Sequence, residues 1–236
     1  MTGGRLAGRP LYYRSVRLPR QTRAFADRHE AGRELARALR PRIDDPDVLV
    51  LGLPRGGVPV AAEVATGLGA ELDVFVVRKL GLPRQPELAM GAVASGGVRV
   101  LNDDVLSEAA VTPDVLEGVT RREAAEVTAR ELRYRGDRPP MRLQGRTVVL
   151  VDDGLATGAT MRAAADAARL QHPARLIVAV PVAPDETVSK FERAGLEIVC
   201  LHAPEPFLAV GYWYRDFTPT TDAEVTALLE TGRSRA

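Results

Sequence analysis

Short apolar runs alternate along this chain with stretches of helical spacing. Phe25, Leu35 and Leu39 fall on one face of an amphipathic stretch closed by Pro41, which predicts a first helix over 25–39. Residues 48–53 form an apolar run that predicts a strand, and 58–68 predict a helix closed by Gly69. The β-rich run 73–78 predicts a second strand. Residues 91–95 and 98–101, joined by Gly96-Gly97, predict a hairpin. Thr112 reads as an N-cap with Pro113 in the first turn, opening a highly charged helix to about Tyr134. The run 148–151 predicts a buried parallel strand, since a strand covered on both faces favours continuous Val and Leu. An Ala-rich helix follows it. A strand at 174–180, a helix at 184–194, a strand at 196–201, a turn-rich aromatic segment and a helix near 221–229 complete the chain.

Alternating strands and helices predict an α/β fold: a mostly parallel, Rossmann-like sheet of about five strands flanked by helices, with a small hood. In open sheets of this kind ligands bind beyond the carboxyl ends of the strands. The chain has 236 residues, 45% of them apolar, enough for a sizeable core. We expect a basic arm over 1–24, which carries six arginines and no acid, and a single domain over 25–236. A transit peptide and an arm covering a partner subunit are the other readings of that arm; it lacks the apolar core of a secretory signal. A net charge of +1 gives no global field for nucleic acid or membrane, so neither is an expected partner. The lone cysteine, Cys200, lies in an apolar run; it excludes an intrachain disulfide and suits a reducing, cytoplasmic setting.

Chemistry concentrates in 148–160, VVLVDDGLATGAT. Two carboxylates, Asp152 and Asp153, stand at the end of the strand, and Thr157-Gly158-Ala159-Thr160 opens the helix. Free N–H groups and the dipole at a helix start favour phosphate. Carboxylates suit ribose hydroxyls or a hydrated Mg²⁺. One loop thus offers partners for both ends of a ribose 5-phosphate. A strand ending in paired aspartates also opens receiver domains, but those begin a domain and want a third Asp after a later strand, which neither downstream run supplies. Two further clusters sit at other strand ends. Arg55-Gly56-Gly57 follows the first strand, where glycines allow close approach of backbone N–H groups and arginine offers a fork suited to phosphate. Arg78-Lys79 ends the second β run and could neutralise a leaving anion. The scattered His29, His172 and His202 have no metal spacing.

The segment 148–160 resembles the PRPP-binding signature of type I phosphoribosyltransferases: hydrophobics, two acids, then a Thr-Gly-x-Thr turn. The resemblance covers about 48–180. It implies that Asp152 and Asp153 hold the ribose hydroxyls of 5-phosphoribosyl 1-pyrophosphate (PRPP), and that Ala156, Thr157, Gly158, Ala159 and Thr160 wrap its 5′-phosphate. Arg55, Gly56, Gly57, Arg78 and Lys79 would receive the pyrophosphate, with Lys79 beside the two aspartates as a catalytic candidate. A cis peptide would fall at Pro54–Arg55. The sequence RKLGLP resembles adenine-type members, in which it leads into a mobile loop, so residues 80–90 are expected to act as a lid. The 6-oxopurine enzymes carry an Asp where this chain has Ala156, which disfavours hypoxanthine and guanine. The resemblance therefore implies a Mg²⁺-dependent pentosyltransferase of nucleotide salvage, in which a nitrogenous base displaces pyrophosphate. Asp152 and Asp153 would touch Mg²⁺ mainly through PRPP and waters. A homodimer is expected. A PRPP-sensing regulator and a ribosyl-phosphate hydrolase are the rival readings. The hood is expected within 202–236, where Phe207, Tyr212, Trp213, Tyr214 and Phe217 offer stacking faces; a satellite core or a dimer contact is the other reading of that segment, and the 112–134 helix with the 91–101 hairpin is the other place for the hood.

Overall fold

The computed structural model describes residues 24–83, 85–139 and 141–233. The basic arm assigned to 1–24 lies, but for Ala24, outside the described residues. In chain order the elements are α1 (Arg28–Leu39), β1 (Val48–Gly52), α2 (Gly57–Leu68), β2 (Glu71–Val74), β3 (Val77–Leu82), β4 (Gln85–Ala94) and β5 (Val98–Leu101). These are followed by α3 (Asp103–Glu108), α4 (Pro113–Arg135), β6 (Thr147–Val151), α5 (Ala159–Arg169), β7 (Arg175–Val182), α6 (Asp185–Arg193), β8 (Glu197–His202) and α7 (Asp222–Arg233). Among the described residues no helix is long and apolar enough to cross a membrane.

Five strands form one parallel sheet in the order β2-β1-β6-β7-β8. Strand β6 lies at its centre and is buried along its whole length. Alternate residues serve opposite faces, as strand geometry requires. Val149 and Val151 join Leu35 of α1, Val64 of α2 and Leu229 of α7 in one core. Val148 and Leu150 join Met161 and Ala165 of α5 and Phe191 of α6 in the other. Cys200 is buried in this second core, as its apolar surroundings predict.

Three local expectations change. Helix α1 starts at Arg28 rather than Phe25, with Asp27 as N-cap accepting from the Glu30 amide at 2.7 Å. Phe25 is held outside the helix by backbone bonds to the C-terminal segment: its N–H donates to the Trp213 carbonyl and its carbonyl accepts from the Arg215 amide, both at 2.8 Å. The run 73–78 is not one strand. It ends β2 at Val74, passes through the buried Phe75 and Val76, and enters a separate antiparallel sheet of β3, β4 and β5. Arg78 and Lys79 therefore stand near the start of β3, not at the end of a parallel strand. Residues 80–90 fall largely in the β3–β4 hairpin rather than in an unanchored loop, because Leu80 and Met90 are fully buried and the strands pair from Val77↔Ala94 onward. The hairpin over 91–101 is present, with Gly96 and Gly97 both at positive φ (84° and 72°) in its turn.

Candidate functional site

Strands β1 and β6 are neighbours in register, Gly52 opposite Val151, so the loops leaving their carboxyl ends meet. The β1–α2 loop turns back at once: the Gly57 amide donates to the Leu53 carbonyl at 3.0 Å, and the Pro54–Arg55 peptide is cis. Its glycines press directly against the β6–α5 loop. A Cβ on Gly56 would lie 2.1 Å from Asp153 Oδ2, and one on Gly57 would lie 2.9 Å from the Asp152 Cα and 2.6 Å from the Val151 carbonyl oxygen. Side chains at either position are excluded by the carboxylate loop itself. Because Gly56 has ordinary helical φ, Gly56→Ala tests contact alone. We expect that variant to lose about 1–3 kcal/mol of stability in urea unfolding, the usual range for overpacking. A loss below ~0.5 kcal/mol would show that the two loops yield freely.

The β6–α5 loop is anchored at its middle. The Leu155 amide donates to the Val182 carbonyl at 2.9 Å, and Thr187 of α6 donates its hydroxyl to the Ala156 carbonyl at 2.8 Å. Gly158 caps α5 with φ of 75°, and a side chain there would meet Phe191 and Thr187 below 3 Å. Ala156, Thr157, Ala159 and Thr160 are exposed around this helix start, whose first amides have no partner within the helix. The arrangement leaves an exposed helix start with its first turn open to solvent, a geometry that can receive an anion.

Asp152 and Asp153 sit back to back. Asp152 Oδ1 accepts from the Asp153 amide at 2.9 Å. Burial, reinforced by the Asp153 charge, pushes the Asp152 carboxyl well above the usual carboxylate range. Burial also raises Asp153, and Arg28 pulls it back. The Arg28 guanidinium, on the first turn of α1, places Nε and Nη2 each 2.8 Å from Asp153 Oδ2. Tyr214 donates its hydroxyl to the Asp153 carbonyl at 2.5 Å; burial, then the Asp153 charge, holds that phenol protonated far above its ordinary range.

Arg55 is exposed and lies 3.9 Å from Asp222, the first residue of α7. Asp222 also accepts from Arg133 at 2.8 Å and from the Tyr134 hydroxyl at 2.7 Å. Burial and that hydrogen bond push the Tyr134 phenol up to about 12. Arg78 is engaged by Glu123 of α4, with Nε and Nη2 at 3.0 and 2.9 Å from Oε2. Lys79 is exposed and falls on the opposite face of β3 from Arg78. That is the face of Val77, which packs into the core containing Met161 of α5.

The structure thus brings Arg55, Gly56, Gly57, Asp152, Asp153 and the 156–160 turn to one end of the parallel sheet. It sets Arg78 and Lys79 on a separate sheet, against which α5 packs. Of the aromatic segment, Tyr214 is buried, Phe217 stacks on it at 5.2 Å, and Trp213 stacks on His202 at 6.2 Å. Tyr212 is largely exposed. The segment is both a satellite core and a rim. Sequence reasoning passed over Arg28, Tyr214's bond to the carboxylate loop, and Thr187.

Comparison with known proteins gives the same reading as this geometry. Residues 22–201 match the family described as phosphoribosyl transferase domain. A Mycobacterium tuberculosis (strain H37Rv) protein named "Putative phosphoribosyl transferase Rv0571c" is 50% identical over 206 residues, covering 87% of this chain and 46% of its own length. A second M. tuberculosis strain (CDC 1551) holds a protein of that description with the same identity and coverage. The chain therefore spans about half the length of the curated relatives it matches. The crystal structure of TT1426 from Thermus thermophilus superimposes with a TM-score of 0.80 at 48% identity, covering 87% of this chain and 97% of that one. A parallel sheet with paired aspartates and a glycine-capped helix start at its carboxyl end, matched along 22–201, places the chain in the phosphoribosyl transferase domain family.

Proposed function

We propose that this chain transfers the 5-phosphoribosyl group of PRPP to a nitrogenous base and releases pyrophosphate. The observation that carries this reading is the meeting of three groups at adjacent strand ends: the Asp152–Asp153 pair, the open helix start at 157–160, and the Arg55-Gly56-Gly57 loop pressed against them. In the reaction a base nitrogen forms a bond to C1′ while the C1′–O bond to pyrophosphate breaks. The bonding electron pair leaves with pyrophosphate; an acceptor N–H passes its proton to the departing diphosphate or to water, whereas a pyridine-type nitrogen keeps the positive charge as a pyridinium. Charge on both partners makes positioning and neutralisation the protein's main task.

In this reading Asp152 and Asp153 orient the ribose, and the backbone and hydroxyls of Ala156, Thr157, Gly158, Ala159 and Thr160 hold the 5′-phosphate. Arg55, Gly56 and Gly57 meet the pyrophosphate; Arg78 and Lys79 add positive charge on the β3 sheet. Among the described residues no three His, Cys, Asp or Glu side chains gather to hold a metal ion. Two adjacent carboxylates suit a Mg²⁺ that keeps much of its water shell and is held mainly by substrate oxygens. Bound there with PRPP, Mg²⁺ would supply charge neutralisation of the diphosphate. Exposed Tyr212, with Phe207 in the same segment, is the stacking face left for the acceptor base. Ala156 carries no carboxylate, which disfavours 6-oxopurines. A homodimer in the cytoplasm serving nucleotide salvage completes this proposal.

The test is pyrophosphate release from PRPP and Mg²⁺ with purines, pyrimidines and pyridine carboxylates as acceptors. Release that needs one base and yields its ribonucleotide supports the transferase. Ribose 5-phosphate formed without any base identifies a hydrolase, and PRPP binding without turnover identifies a sensor.

A further inference from the structure

One guanidinium gathers three parts of the molecule that the chain keeps far apart. Arg28 comes from the first turn of α1, and Asp153 lies 125 residues later. The same side chain donates through Nη1 to the Thr218 carbonyl at 2.9 Å, 190 residues away. Its flat face covers the Phe217 ring at 4.0 Å from the centroid and lies 5.9 Å from that of Tyr214. Arg28 is only 9% exposed, so these contacts are made out of water, where a forked, charge-assisted set of bonds is strong. Tyr214 closes the circuit from the other side through its bond to the Asp153 carbonyl. Both bonds from Arg28 reach Oδ2 of Asp153, the oxygen already packed against Gly56, which leaves Oδ1 as the oxygen unclaimed by either.

We propose that Arg28 is a positioning residue: it clasps the C-terminal aromatic segment 213–218 to Asp153, so that the carboxylate pair and the hood over it are held as one unit. For the site this means that Asp153 is presented with one defined oxygen and that the segment carrying Tyr214, Phe217 and Thr218 is fixed beside it. The role in substrate binding rests on the proposed transferase reading; the clasp itself does not. A packing role alone predicts that loss of Arg28 acts regardless of what stands at 153. The clasp predicts that its effect passes through Asp153.

The experiment is a cycle of Arg28→Gln, Asp153→Asn and the two together. In the free protein, acrylamide quenching of the single tryptophan, Trp213, reads the clasped segment directly. Each single variant should raise the quenching constant about twofold, and the double variant no further, because interacting residues are non-additive. Increases that simply add, or no increase in the single variants, would overturn the clasp. Arg28→Lys provides a second variant should Arg28→Gln not fold. One ammonium group keeps the charge but cannot span Asp153 and the Thr218 carbonyl together, so it should melt near the unaltered protein yet quench like Gln. Quenching like the unaltered protein would refute the fork. Calorimetry with Mg²⁺ and PRPP on the same proteins reads the site. Arg28→Gln should weaken binding about tenfold in the unaltered background and under about twofold beside Asp153→Asn. Equal losses in both backgrounds would refute the positioning role. Coupled quenching in a protein that takes up no PRPP would leave the clasp standing and remove the transferase reading instead.

Discussion

Asp152→Asn/Asp153→Asn should bind Mg²⁺–PRPP at least ~100-fold more weakly than the unaltered chain while remaining folded. The size follows from the bonds at stake. Hydrogen bonds to a charged group contribute about 1.5–3 kcal/mol each, and each ~1.4 kcal/mol is a factor of ten, so two such bonds account for two to four orders of magnitude. The prediction of intact folding rests on opposing effects. The two carboxylates repel each other in a buried setting, and burial already holds both above the ordinary carboxylate range. Neutral, isosteric Asn relieves that repulsion. Against this, Arg28 loses the counter-charge it holds at 2.8 Å and becomes a nearly buried, unpaired cation. These terms have opposite sign and similar cause, so the melting temperature should move little. Calorimetry gives the first quantity and a thermal melt the second. Unchanged PRPP affinity would refute the role given to these carboxylates; a protein that no longer folds would show that the Arg28 ion pair outweighs the repulsion.

How much of this was legible in the sequence depends on how locally each feature is encoded. Strand β6 was readable because its five residues are all buried and the chemistry continues without a break into the helix start. The glycine pair after β1 was readable as a place of close backbone approach, and the geometry adds the reason side chains are excluded: the Asp153 carboxylate and the backbone at Val151 and Asp152 fill the space. The hairpin at 91–101 followed from two glycines that must take positive φ. The run 73–78 misled because unbroken burial looks the same whether a segment stays in one sheet or crosses between two; Phe75 and Val76 are buried in the crossing itself. The 80–90 segment misled for a related reason. Its prolines and glycine read as loop, while its anchors, Leu80 and Met90, are single residues whose burial depends on α4 and on the distant core. Arg28 is one of many arginines, and nothing near it in sequence hints at Asp153 or Thr218. Arg78 is similar: its partner Glu123 lies 45 residues on, in a helix whose charged face gave no sign of which acid would turn inward. Long-range polar pairs leave no periodic trace, and here one of them, Arg28 with Asp153, braces a site that the β1–β6 register brings together.

The largest loss of stability should come from a pair outside the site, Arg135 and Asp73. Asp73 is 1% exposed in β2, and Arg135 closes α4; Nε donates to Asp73 Oδ2 at 3.0 Å, and a further guanidinium nitrogen bonds the Pro139 carbonyl. Asp73 also accepts from the Val74 amide at 2.7 Å, with Arg138 at 3.8 Å. Burial nevertheless holds the Asp73 carboxyl above its ordinary range, so desolvation outweighs the attraction of its partners. A buried ion pair of this kind is costly to form and more costly to break. Arg135→Met should therefore destabilise the fold by about 3–5 kcal/mol in urea unfolding, because it strands a carboxylate in the core. Arg135→Met with Asp73→Val should recover much of that loss, since replacing both members removes the unpaired charge. The neighbouring Tyr134→Phe offers a scale: it removes one partly exposed bond to Asp222 and should cost about 1 kcal/mol. The pair matters for the site because it fixes the end of α4 to the sheet. From that end Tyr134 and Arg133 hold Asp222, and Asp222 lies against Arg55 of the glycine loop. If Arg135→Met cost no more than Tyr134→Phe, the pair would be screened by water rather than sealed in the core, and this bracing of the Arg55 loop would have to come from elsewhere.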